Sequence, residues 1–105
     1  MPLYTGLYNY HDNDEAQQKR AAVADEHIAF VEGLVARDAI VLATVRGDDD
    51  SPGGEIVVHA PSKDAAREMF EKDPNTHAEL GNWVLTDFRP VAGSLMPAFG
   101  DLADS

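Results

Sequence analysis

Apolar and polar positions change rhythm several times along this chain. At the start they alternate. Leu3, Thr5 and Leu7 share one face of an extended segment, and Tyr4 and Tyr8 share the other. That period of two predicts a strand over about residues 2–9. The period then lengthens. Val23, His27, Phe30, Val31 and Leu34 gather within roughly 100° of arc at 3.6 residues per turn, which predicts a helix over about 14–37. Asp12 stands three positions ahead of Glu15, the spacing of a capping box. Gly33 within this helix costs about 1 kcal/mol relative to alanine, and close packing is one use for it.

The second half repeats the alternation of elements. Ile40 to Arg46 is β-branched and apolar, hence a strand. Residues 47–54 carry Asp48-Asp49-Asp50 and Ser51-Pro52-Gly53-Gly54 and read as a solvated hairpin loop. Residues 55–60 return as a strand. Ser62 is a good N-cap for a helix over about 63–71, with Asp64 in its first turn. Asp73-Pro74 ends that helix and starts a short one. Trp83 to Phe88 is the fourth strand, and the stretch from Pro90 onward, with Gly93, Pro97 and Gly100, reads as irregular.

The order β-α-β-β-α-β is that of an α+β ferredoxin-like protomer. Residues 1–91 are expected to form that domain and 92–105 an irregular tail. Two helices cover only one face of a four-stranded sheet, yet the strands are apolar on both faces. A second copy is the simplest cover, so a homodimer or a higher even oligomer is expected. The tail residues Leu95, Met96, Phe99 and Leu102 offer a second source of cover.

Composition narrows the function. With 8 basic and 19 acidic residues the formal net charge is -11. Phosphate backbones and anionic membranes repel such a surface, which argues against nucleic-acid and membrane partners. The chain has no cysteine, so disulfides, thiolate catalysis and zinc–thiolate sites are excluded. No apolar run approaches the roughly 20 residues of a membrane-crossing helix. The first residues lack the basic and apolar regions of a secretory signal, and the cytoplasm is the expected compartment. No histidine pair has the i, i+4 spacing of a metal site, no Gly-rich loop opens a helix, and nothing marks a serine nucleophile. The residues call for neither metal nor cofactor.

His27 is the most informative position. It sits inside an apolar stripe where leucine would be expected, and imidazole is the side chain suited to proton transfer near neutral pH. Its alternative reading is a half-buried core histidine held by a hydrogen bond. Asp73 reads either as an N-cap for the helix that follows or as the carboxylate that orients His27. Tyr8, Thr44, Arg46 and Trp83, together with Tyr4, form a looser substrate-binding set. Strand placement puts them along a cleft between helices and sheet, or between subunits. Their other reading is packing.

Taken together, the chain resembles the YCII-related (YciI-like) family of dimeric α+β-barrel proteins. The features are the opening strand from Tyr4 to Asn9, Lys19-Arg20 leading into His27, and Leu34 and Ile40 at the helix-to-strand turn. Lys63-Asp64-Ala65-Ala66, Asp73-Pro74 and Val84 through Arg89-Pro90-Val91 follow. The resemblance covers about residues 2–91. It implies a ferredoxin-like protomer whose sheets pack face to face, and it implies that His27 and Asp73 are an active-site dyad. One activity in similar proteins is elimination of hydrogen chloride from a chlorinated hydroquinone; relatives of the wider fold include isomerases and small monooxygenases. The chain departs from the family pattern at Ala43-Thr44, at Asn75 and in its longer tail. The expected function is a cofactor-independent lyase or isomerase acting on a small cyclic or aromatic metabolite. A non-enzymatic metabolite-binding or interaction module and a cofactor-free monooxygenase are the alternatives.

Overall fold

The computed structural model describes residues 2–11, 13–46, 53–74 and 80–99. The principal elements among these residues follow one another as β1 (Leu3–Tyr10), α1 (Asp14–Ala22), α2 (Ala24–Ala36), β2 (Ile40–Arg46), β3 (Gly53–His59), α3 (Lys63–Glu71) and β4 (Gly81–Asp87). The strands form one antiparallel sheet in the order β2-β3-β1-β4. This is the ferredoxin-like arrangement that the element order implied.

The register sorts side chains onto two faces. Tyr4, Gly6 and Tyr8 of β1 lie opposite Val58, Ile56 and Gly54 of β3, and opposite Asp87, Leu85 and Trp83 of β4. This face packs on the helices. Its core joins Tyr4, Tyr8, Ile56, Val58, Leu85 and the helix residues Ala66 and Phe70. Each large apolar side chain sealed there contributes about 1.5–3 kcal/mol. Gly6 lets α3 approach closely: a Cβ at that position would come within 2.8 Å of the Phe70 ring. The outer face carries Leu3, Thr5, Leu7, Val57, Leu42 and Val84, with Leu42 and Val84 exposed.

The first long helix of the sequence reading is two helices. Val23 leaves helical geometry, at φ −105° and ψ 7°, between α1 and α2. The i to i−4 bonds from Val23 N to Lys19 O and from His27 N to Val23 O persist through the break. The bend falls where a polar, surface-running segment gives way to the apolar stripe. The N-cap is Asn13, whose Oδ1 accepts from Ala16 N at 2.8 Å, and not Asp12. Gly33 serves no close packing among the described residues, since a Cβ there would meet none of them within 4 Å. At the end of α2, Ala39 N donates to Leu34 O and Asp38 N to Val35 O, with Asp38 at φ 55°. That is a Schellman closure with aspartate in the left-handed position usually given to glycine.

Strand β1 extends to Tyr10, one residue beyond the span that the alternation predicts. The described part of the tail is not wholly irregular: residues 96–99 form a helical turn, and Phe99 packs on Phe88 at 5.7 Å between ring centroids. Among the described residues, no helix is long and apolar enough to cross a membrane. The acidic triplet Asp48-Asp49-Asp50, the short helix after Pro74, and Leu102 lie outside the described residues.

Candidate functional site

Two helical stripes converge on one polar contact. On α3 the buried positions Ala66 and Phe70 are four apart, and Asp73 follows three later, so it continues the same inward face just past the helix end. Its backbone N donates to Phe70 O at 3.1 Å, which holds the turn. On α2 the inward face is Val31 and Leu34, with His27 one turn before them. Each stripe therefore contains one polar residue, and the two meet. His27 Nδ1 lies 2.7 Å from Asp73 Oδ1. The Asp73 side chain is fully buried, while that of His27 is 25% exposed.

The chemistry of that contact follows from its donors. An ionised carboxylate only accepts, so Nδ1–H of His27 donates to Asp73. The imidazole atom left for other work is then Nε2. A buried carboxylate in this position fixes both ring orientation and tautomer.

The exposed part of His27 lines a cleft of about 310 Å³ between α2 and the helix-facing side of the sheet. Tyr8, Tyr10 and Thr44 line it too, as do Ile28, Val31 and Glu32 from α2 and Val45 from the edge strand β2. Ile28 is 53% exposed and Val45 87% exposed, so the cleft has wet apolar walls. Tyr8 stacks between Tyr10 and Trp83, with centroids 6.2 and 6.3 Å away, and meets the Phe70 ring edge-on.

The expected binding residues thus divide. Tyr8 shares the cleft with His27. Thr44 borders it from the edge strand, but its register opposite Glu55 puts its side chain on the outer face with Leu42 and Arg46. Trp83 stands one ring behind it, in contact with Tyr8 and beneath Arg67. Arg46 belongs to the opposite face. Its Nη2 donates to Asn9 Oδ1 at 2.8 Å and to Tyr8 O at 3.3 Å. Of the two placements open to it, the cleft is therefore excluded and the outer sheet face remains. Three further cleft residues, Tyr10, Ile28 and Glu32, are not among the candidates that the sequence offers. Tyr10 continues the alternation of Tyr4 and Tyr8. Glu32 and Ile28 flank the stripe of α2. Among the described residues, no group of three or more His, Asp or Glu side chains is placed to hold a metal ion.

Fold and sheet order define an α+β protein of ferredoxin-like type. The chain belongs to the YCII-related domain family, whose model matches residues 4–88. Among solved structures it is similar to 5-chloro-2-hydroxyhydroquinone dehydrochlorinase (TftG) from Burkholderia phenoliruptrix AC1100, in complex with 2,5-dihydroxybenzoquinone. The identity is 23% and the TM-score 0.66, over 84% of this chain and 95% of that one. It is also similar to Rv0793 from Mycobacterium tuberculosis, at 14% identity and TM-score 0.52, over 88% of this chain and 98% of that one. SnoaB, a cofactor-independent oxygenase from Streptomyces nogalater, aligns at 18% identity and TM-score 0.48, over 88% of this chain and 94% of that one. Among curated proteins, none matches the sequence.

Proposed function

We propose that the chain is a small-molecule enzyme, a cofactor-independent lyase or isomerase acting on a small cyclic or aromatic metabolite. His27 moves the proton through Nε2, and Asp73 orients the ring and stabilises the imidazolium. The observation that carries this reading is the 2.7 Å contact between a fully buried carboxylate and a histidine that lines an apolar cleft. In an elimination, Nε2 takes a proton from a ring C–H or O–H. The electron pair left behind enters the ring, and the leaving group departs with its bonding pair. In an isomerisation the same proton returns at another carbon. A positioned general acid–base contributes about 10²–10⁴-fold, which suits activated, enolisable substrates. The dehydrochlorinase of similar fold supports the elimination arm.

The enzyme is proposed to work as a homodimer paired through the outer sheet face. Leu42 and Val84 lie exposed on that face. The buried Thr5 Oγ1 and His59 Nδ1 on the same face lack hydrogen-bond partners among the described residues. Leu3, Thr5 and Val57 at the centre of the face are already buried in the single chain, so a second sheet would cover the edge residues Leu42 and Val84 and supply the polar partners.

The test is chloride release from 5-chloro-2-hydroxyhydroquinone and related halogenated hydroquinones by the wild-type protein and by His27→Ala. Release by the wild type and its loss in the variant are expected. Equal release by both would overturn the role of His27.

A further inference from the structure

The charge inventory of the cleft is one-sided. Besides His27, the ionisable side chains among its described lining residues are Tyr8, Tyr10 and Glu32, and none is lysine or arginine. Two guanidinium groups that approach lining residues are held by other partners. Arg20 sits over the Tyr10 ring at 5.1 Å from its centroid. Arg46 is tied to Asn9 on the other side of the sheet. Glu32 follows His27 by five positions and Ile28 by four, so it stands on the cleft side of α2, one turn beyond Ile28. It is exposed and enters no ion pair among those of the described residues.

We propose that Glu32 sets the substrate class of this cleft: an uncharged, hydroxyl-bearing ring is accepted and a ring carboxylate is rejected. The proposal rests on the reading of this cleft as the substrate site and adds to it the residue that discriminates. The apolar walls, Ile28, Val31 and Val45, take the ring faces. The Glu32 carboxylate accepts a hydrogen bond from a ring hydroxyl, which a ring carboxylate cannot offer. A substrate anion there meets a like charge that no ion pair of the described residues offsets and no lining lysine or arginine neutralises, and the net charge of -11 adds to the repulsion.

Two probes that share one ring separate the possibilities: 4-hydroxybenzyl alcohol and 4-hydroxybenzoate. Each is titrated into the full chain and followed by ¹H–¹⁵N NMR at the amides of α2 and β2. In the wild type at low salt the alcohol is expected to bind on the order of tenfold more tightly than the benzoate, a size typical of one unscreened charge pair. Glu32→Gln is expected to shrink that preference severalfold, and added salt to shrink it more in the wild type than in the variant. Because Glu32 is exposed, the variant keeps the wild-type fold, which the same spectra verify. Equal or tighter binding of the benzoate by the wild type, or an unchanged preference in Glu32→Gln, overturns the proposal and leaves the cleft as the substrate site. Perturbation of no α2 or β2 amide by either probe overturns the proposal and the site reading together.

Discussion

The carboxylate of Asp73, sealed from solvent, holds the Nδ1 side of the His27 ring at 2.7 Å while the ring's other edge remains partly exposed. Forty-six residues separate the two, and neither lies on a strand. Their contact exists because α2 and α3 each place one polar side chain in an otherwise apolar stripe. A buried pair of this kind is a poor source of stability, since desolvation offsets much of the attraction. Orientation of the imidazole is the better account of it.

Asp73→Asn keeps the side-chain shape and removes the fixed acceptor. The introduced amide can present its NH₂ to Nδ1 and so favour the wrong tautomer. Turnover is expected to fall by about 10²–10⁴-fold with the fold retained. Long-range ¹H–¹⁵N spectra of the His27 ring check the cause. The wild-type neutral ring is expected to carry its hydrogen on Nδ1, and the variant to lose that preference.

The outer sheet face gives a prediction about assembly. Leu42 and Val84 lie near opposite edges of that face and are exposed in the single chain. The double variant Leu42→Glu, Val84→Glu places charges where two sheets would meet. It is expected to sediment as a monomer where the wild type sediments as a dimer. An unchanged sedimentation coefficient would move the interface elsewhere.

Gly6 marks where helix and sheet come closest. Gly6→Ala puts a Cβ 2.8 Å from Cε1 of Phe70 and is expected to destabilise the fold by about 1–3 kcal/mol. Because Phe70 precedes Asp73 by three residues on the same face, the displaced ring also disturbs the dyad. Thermal unfolding followed by circular dichroism measures the loss, expected as a fall of several degrees in Tm.

Asp38 offers the opposite sign. It holds φ 55° in the closure of α2, a conformation that disfavours an L side chain by roughly 1–2 kcal/mol. Asp38→Gly is expected to raise Tm by a few degrees, the gain trimmed by the extra backbone freedom of glycine in the unfolded chain. The same thermal scan checks it.

Much of this arrangement was legible in the residues. The strand alternation of β1, the stripe on α2, and the Ser62 cap, whose Oγ accepts from Ala65 N at 3.1 Å, are local signals, and the order of elements followed from them. So did the oddity of a histidine at a leucine position. The helix break at Val23 was hidden because the i to i−4 bonding, and with it the apolar period, runs through the bend. Arg46 could not be assigned to a cleft or to the outer face because its strand sits at the sheet edge, and which face is covered depends on where α2 lands. The cleft residues Glu32 and Ile28 flank their stripe and carry no local signal of their own. The contact between His27 and Asp73 was beyond any periodicity, since it depends on how two helices settle on one sheet.

The claim at the centre of this account is that His27 Nε2 transfers a proton at the cleft. Hydrogen-isotope exchange in D₂O reads that step directly, using enolisable hydroxylated rings that bind the cleft and following ring C–H signals by NMR. The wild type is expected to catalyse exchange, and His27→Ala to slow it by at least about 10²-fold while still binding the ring. Exchange at the same rate in both proteins, or no catalysed exchange in any ring that occupies the wild-type cleft, would contradict the account.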